Sequence, residues 1–292
     1  MKTDRIIEAA LKEDLGEGDH TSLATIPEHT KAKANLVMKS NGVLAGMPVA
    51  VRIFHKVDPL LKVDPLKTDG TFVNEGEIIL TVEGSARSVL AAERTALNFL
   101  QRLSGIATET YRMEKEIRGT HAQILDTRKT TPLLRELEKY AVRVGGGKNH
   151  RMGLYDMIMI KDNHVDYAGG IVPAIEAVNE YLEETGKDLR IEIEVRNFDE
   201  LFEAVNHGHI HRIMLDNFSP EDVASSVKVV RGRYETEASG GITLATIRSY
   251  AETGVDFISV GSLTHQFRSL DMSLKADIPR KYERKPILPK SW

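Results

Sequence analysis

The chain has 292 residues, 41% hydrophobic and 28% charged, a composition that fits a packed globular protein and excludes a disordered or fibrous one. A net charge of -4 argues against a general nucleic-acid binder, and the absence of cysteine removes disulfides, thiolate nucleophiles and Cys-ligated metals. No apolar run approaches the ~20 residues of a membrane span, and the charged N-terminus does not read as a secretion signal, so a cytoplasmic protein is expected.

In chain order, the first third reads as mixed α and β. Residues 31 to 46 look like strand, turn, strand, and 71 to 84 hold a turn signal before an alternating apolar run. A long helix follows, with Val89, Ala92, Ala96, Phe99 and Leu103 on one apolar stripe and Arg94 off it; Gly105 is expected to end it. From about residue 120, six short β-rich runs (123 to 127, 157 to 160, 190 to 195, 212 to 217, 234 to 239 and 256 to 261) alternate with amphipathic stretches. That alternation predicts a parallel sheet with right-handed crossovers, closed into a barrel or left open. Thr131-Pro132 and Ser219-Pro220 read as N-cap and first helical residue, and Gly145 to Gly147 as a helix stop. The charged, proline-bearing tail after about 270 is expected to run back over the first domain.

Charge is unevenly spread. Between Arg128 and Lys161 there are eight Lys or Arg against three acids, which suggests a site for a compact anion. Within that stretch Arg135, Lys139 and Arg143, spaced four apart, read as a solvated helix face.

The polar residues also cluster at strand ends. Arg128 and Lys129 follow the first barrel strand and Lys161 the second, Glu194 and Asp216 lie near the ends of the third and fourth, and Ser239-Gly240-Gly241 and Gly261-Ser262 follow the last two. The carboxyl ends of parallel strands form the ligand site of α/β folds, so these residues should converge. In IEIEV, Glu192 and Glu194 share a face opposite Ile191, Ile193 and Val195; if the isoleucines pack on helices, both glutamates point into the barrel. A structural ion-pair network is the plainer alternative. Glycines after the final strands suit a bound phosphate but equally suit turns, and Lys161 could be a Schiff-base lysine or an anion ligand.

Seven motifs carry a family resemblance: ERTALNFLQRLSGIAT (93 to 108), LDTRKTTP (125 to 132), GGGKNHRMGLYDMIMIKDNH (145 to 164), IEIEV (191 to 195), IMLDNF (213 to 218), ASGGI (238 to 242) and SVGSLTH (259 to 265). In order and spacing they resemble the quinolinate phosphoribosyltransferases over nearly the whole chain, with EDLGEGDHTS (13 to 22) similar to the family's N-terminal segment. The resemblance implies an N-terminal α/β sandwich-like domain (1–112) on which the tail (270–292) packs, and an incomplete, six-stranded parallel α/β barrel (113–269). It implies transfer of phosphoribosyl from phosphoribosyl pyrophosphate to quinolinate with decarboxylation, Mg2+ as cofactor, and a homodimer with shared active sites.

By the same resemblance, Arg128, His150, Arg151 and Lys161 surround the quinolinate carboxylates, Arg94 reaches in from the partner, and Lys129 lies between the two substrates beside Thr127. Glu194 and Asp216 face the ribose hydroxyls and Mg2+, directly or through water. Ser239, Gly240, Gly241, Gly261 and Ser262 seat the 5′-phosphate near His265. Lys129, Lys161, Glu194 and Asp216 form the catalytic set. Two departures touch loop geometry: Leu133 stands where many relatives have glycine, and GSLTHQ, ending in Gln266, replaces GALTHS. A nicotinate phosphoribosyltransferase, a lysine-dependent aldolase and a non-catalytic phosphate-binding paralogue are the rival readings.

Overall fold

The computed structural model describes residues 3–277. Of the described residues, 3–104 and 269–277 form one compact unit, and Gly105–Arg268 form the other.

The first unit opens with helices α1 (Thr3–Leu15) and α2 (His20–Thr25), then strands β1 (Lys31–Met38) and β2 (Gly42–Val43). Helix α3 (Met47–Val57), strands β3 (Lys62–Pro65), β4 (Phe72–Val73) and β5 (Ile78–Ser85), and the start of helix α4 (Ala86–Glu116) complete it. The segment 31 to 46 does give two strands, but β2 pairs with β4, while β1 lies between β5 and the last strand of the chain, β12 (Met272–Ala276). The antiparallel sheet runs β12-β1-β5-β3 and buries Leu36, Met38, Leu80 and Val82. Pro279, Pro286 and Pro289 lie outside the described residues.

Gly105 does not end α4. The helix continues to Glu116, because Ile106, Ala107, Thr110 and Met113 keep a buried face in register beyond it. A glycine within a helix costs only ~1 kcal/mol against alanine, less than burying that face returns.

The second unit is the predicted strand and helix alternation. After β6 (Gln123–Leu125) come α5 (Arg135–Val144), β7 (Ile158–Ile160), α6 (Asp162–Ala168), α7 (Ile171–Thr185) and β8 (Ile191–Val195). Then follow α8 (Phe198–His207), β9 (Arg212–Asp216), α9 (Pro220–Val230), β10 (Glu235–Ser239), α10 (Ile247–Ala251), β11 (Phe257–Ser259) and α11 (Ser262–His265). All five strand pairings are parallel, in the order β6-β11-β10-β9-β8-β7, so β6 and β7 are the edges of an unclosed barrel. The chain partly fills this seam: Lys148 bridges to Leu125, donates to the Ile124 carbonyl (2.8 Å) and accepts from the Asp126 N–H (3.2 Å). The segment that follows, His150–Arg151, is thereby laid beside the end of β6.

Strand alternation sorts the barrel. Ile191, Ile193 and Val195 of β8, Ile213 and Leu215 of β9, and Ala238 and Ile258 are buried on the alternate face. Glu192 and Glu194 take the opposite face, in register with Arg212 and Met214. Ser219 caps α9 as expected, accepting from the Asp222 N–H with Pro220 at the first turn. Thr131-Pro132 does not start a helix; residues 132–134 form a turn, Leu133 has φ 68°, and α5 begins at Arg135. A left-handed residue cannot continue a right-handed helix, so the start is delayed. Among the described residues no helix is long and apolar enough to cross a membrane.

Candidate active site

At the carboxyl ends of the strands lies a cavity of about 950 Å³. Thr127, Arg128 and Lys129 line it from the end of β6, Lys161 from β7, Glu194 from β8, Asp216 from β9 and Ser239, Gly240 and Gly241 from β10. Gly261, Ser262 and His265 line it after β11, and His150 and Arg151 from the seam segment. Every barrel residue that the resemblance assigns to the site thus borders one cavity; Arg94 belongs to the first unit.

The rim is cationic and individually wired. Lys161 Nζ lies 3.0 Å from Glu194 Oε2; the lysine side chain is 46% exposed and the glutamate 7%, so the pair turns its charge toward the opening. Asp216, the last residue of β9, accepts from Asn217 Nδ2 at 2.6 Å. Arg151 donates to the Met157 carbonyl at 3.3 Å, and burial, then the charge of Arg128, push its pKa down. Thr264 Oγ1 donates to the Lys129 carbonyl at 2.8 Å, tying the first strand end to the last. At the glycine end, Gly240 has φ 104°, and a Cβ there would come within 2.2 Å of Asn217 Oδ1. Asn217 itself sits at φ 59°, so this strand end can be built only with glycine against it.

Below the rim, the barrel interior holds a buried charge cluster, of which His150 and Glu237 border the cavity. Arg212 NH1 donates to Glu237 Oε2 at 2.8 Å and lies 3.9 Å from Glu192 Oε2, with its guanidinium 4.0 Å from the Phe257 ring centre. His150 Nε2 is 2.9 Å from Glu192 Oε2 and 3.5 Å from Glu237 Oε2, approaches set by charge and distance rather than by aligned hydrogen bonds. Burial, then the negative charge of Glu237, push the Glu192 carboxyl up to about 7. Burial would lower His150, and the two carboxylates pull it up to about 9. Yet the Arg151 N–H donates to His150 Nδ1 at 2.7 Å, leaving no place there for a second proton. Geometry therefore favours a neutral ring beside a protonated Glu192, with Glu237 and Arg212 balancing each other. His150, Glu192 and Glu237 could hold a metal ion, their ligand atoms lying within 4.8 Å of one another, but Arg212 already supplies the countercharge. The resemblance puts His150 around the substrate carboxylates; the structure lines the cavity with it but turns both ring nitrogens to protein partners.

Helix α5 is not a solvated face. Lys139 is fully buried; Arg135 donates to Thr130 Oγ1 (3.0 Å) and the Met152 carbonyl (3.0 Å), and Arg143 donates to Asn149 Oδ1. Only Arg143 of the three is exposed. Spacing of four placed these cations on one side of the helix but could not say what covers that side. Sequence reading also passed over Glu109, Met113, Met159, Met214, Asn217 and Glu237, which line the cavity. The alternation that exposed Glu192 would have found three of them, since Met159 stands two before Lys161, Met214 two before Asp216 and Glu237 two before Ser239.

Comparison with known proteins agrees with this geometry. Family models match in two parts: the quinolinate phosphoribosyl transferase N-terminal domain over residues 19–104 and the C-terminal domain over 106–275. The chain is 45% identical to the chloroplastic nicotinate-nucleotide pyrophosphorylase [carboxylating] of Arabidopsis thaliana, covering 93% of this chain and 82% of that one. It is 44% identical to a probable enzyme of the same name from Bacillus subtilis, covering 90% and 89%. The crystal structure of NadC from Streptococcus pyogenes superposes with a TM-score of 0.88 at 40% identity, covering 93% of this chain and 95% of that one. The chain belongs to the quinolinate phosphoribosyl transferase family.

Proposed function

We infer that this chain joins the pyridine nitrogen of quinolinate to C1 of phosphoribosyl pyrophosphate, expels pyrophosphate and releases CO2, giving nicotinate mononucleotide for NAD biosynthesis. The observation that carries the reading is a single cavity in which arginines and lysines from three chain segments face carboxylates and a glycine-built strand end. Two anionic substrates must be held together while C1 becomes cationic. Arg128 and Arg151 offer planar forks for the quinolinate carboxylates, whereas Lys129 and Lys161 act as point charges. His150 stands behind Arg151 and fixes it. Glu194 and Asp216, facing inward, take the ribose hydroxyls and stabilise the oxocarbenium-like transition state. The backbone of Ser239 to Gly241 and of Gly261 to Ser262, beside His265, seats the 5′-phosphate. Much of the rate then comes from orientation and electrostatic preorganisation.

Mg2+ fits this donor set. Glu194 and Asp216 are hard oxygen ligands on adjacent paired strands, and magnesium is usually held by one or two carboxylates plus substrate phosphates. When bound it would neutralise the leaving pyrophosphate. The functional unit is a homodimer, with Arg94 acting in the partner's site, and its compartment is the cytoplasm, in keeping with a cysteine-free chain. Incubation with phosphoribosyl pyrophosphate, Mg2+ and either quinolinate or nicotinate tests the reaction. Product and CO2 are expected from quinolinate; turnover of nicotinate alone would overturn the reading.

A further inference from the structure

Beneath the cationic rim lies a buried ion pair that touches no part of the cavity. Asp126, which directly precedes Thr127-Arg128-Lys129, and Lys139 of α5 are both fully buried, and neither lines the cavity. Lys139 Nζ donates to Asp126 Oδ1 and, at 3.0 Å, to the His150 carbonyl. Asp126 Oδ1 also accepts from the His150 N–H at 2.9 Å, and Asp126 Oδ2 from Asn149 Nδ2, which donates in turn to the Lys139 carbonyl at 2.9 Å. The pair therefore grips both main-chain polar groups of His150 while one of its members is covalently joined to the segment bearing Arg128 and Lys129.

Such an arrangement is an expensive way to stabilise a fold. Burial pushes Asp126 up and Lys139 down in pKa, each against the attraction of the other. Buried ion pairs can often be replaced by uncharged residues with little loss of stability, so they are weak evidence for a stabilising role. What this one does supply is register. The unclosed seam has no strand pairing between β6 and β7, and the backbone bridge to β6 ends at Lys148, so the ion pair extends that link to His150 and the residues beyond it.

We propose that Asp126 and Lys139 are positioning residues that fix His150-Arg151 against Arg128-Lys129, setting the spacing of the cations that receive the dicarboxylate. The proposal rests on the quinolinate reading above and goes beyond it by assigning the specificity of that end of the site to an ion pair that never meets the substrate. It separates the two substrates: the glycine-built phosphate end, on β10 and after β11, is not held by this pair.

The test uses the full chain and measures quinolinate and phosphoribosyl pyrophosphate binding separately by calorimetry. Lys139→Met removes the ammonium but leaves Asp126 buried and unpaired, so it can fail to fold. The double variant Asp126→Asn with Lys139→Gln leaves no uncompensated charge and is the deciding one. In the folded double variant quinolinate affinity is expected to fall at least tenfold while phosphoribosyl pyrophosphate affinity stays within about threefold. Quinolinate affinity within twofold of wild type would overturn the proposal, and so would an equal loss for both substrates, which is what a merely structural pair would give. Failure of the wild type itself to bind quinolinate overturns the functional reading instead, so the two failures are told apart.

Discussion

Floor and rim of the same barrel use the same kinds of residue to opposite ends. On the floor, Arg212 and Glu237 answer each other's charge beside a neutral pair, Glu192 and the His150 ring, and Glu237 is wholly buried although it borders the cavity. One layer up, the buried Glu194 meets the half-exposed Lys161, and Arg128, Lys129, Arg151 and Lys161 around the cavity outnumber the carboxylates of Glu109, Glu194 and Asp216. Glu192 and Glu194 are two residues apart on one strand, so residue type alone does not decide which becomes structural. Depth does. A charge in the buried layer must be met by the protein, whereas one at the rim can be met by a ligand.

If that contrast is right, breaking the floor should unfold the protein and breaking the rim should only disarm it. The largest effect is expected for Arg212→Met, which leaves the buried Glu237 and the part-exposed Glu235 without their guanidinium partner. Uncompensated buried charge typically costs about 3–5 kcal/mol, to be read from urea denaturation. A loss below about 1 kcal/mol would show that the floor charges are not coupled as described.

Rim substitutions come next. Arg151→Ala and Lys161→Ala should each weaken quinolinate binding by ~1.5–3 kcal/mol, the worth of a charge-assisted hydrogen bond, while the denaturation midpoint moves much less than for Arg212→Met. Unchanged quinolinate affinity in both would remove them from the carboxylate site. Borohydride trapping with candidate carbonyl substrates should give no adduct on Lys161; a trapped imine would instead favour the aldolase rival.

Whether one chain completes the rim is a further way to sharpen the contrast. If Arg94 serves the neighbouring subunit, inactive Arg94→Ala and Lys161→Ala chains should complement when mixed. A mixed two-fold dimer then has one doubly damaged and one intact site, and random re-association returns roughly a quarter of wild-type activity. Confirmed subunit exchange by mass spectrometry with no returning activity would confine Arg94 to its own chain.

The layers differed in how much of them the sequence could reveal. The six barrel strands announced themselves as short β-rich runs alternating with amphipathic stretches, and the inward face of β8 through strict alternation, because both are local patterns. The rim followed from where those strands end. Lys139 was misread because its partner Asp126 lies thirteen residues away, just past the end of β6, and a four-residue spacing is equally good for water or for a buried acid. Gly105 was misread for a similar reason: a glycine stops a helix only where the buried face ends, and here Ile106 and Ala107 prolong it. The His150 role is a subtler case. A motif gives the residue but not the direction of its ring nitrogens, and that direction is set by the Arg151 amide and two barrel carboxylates from separate strands.

The smallest expected effect concerns the departure at Leu133, which belongs to neither layer. Its φ of 68° is in the left-handed region, its side chain is 73% exposed, and it stands in the turn between the Arg128-Lys129 segment and α5. A side chain there has a steric conflict with the following carbonyl that glycine lacks, worth roughly 1–2 kcal/mol. Glycine gives part of this back through the greater freedom of its unfolded chain, ~0.4–1 kcal/mol. With so little side-chain burial to lose, Leu133→Gly should stabilise the protein by about 0.5–1 kcal/mol in urea denaturation, through relief of backbone strain alone. Quinolinate affinity should stay within twofold, since Glu138, which accepts from the Thr131 N–H at 3.0 Å, still holds the turn from the helix side. Destabilisation instead would mean that the exposed leucine is covered by something in the assembled protein, and that its side chain, not its backbone, is what the position keeps.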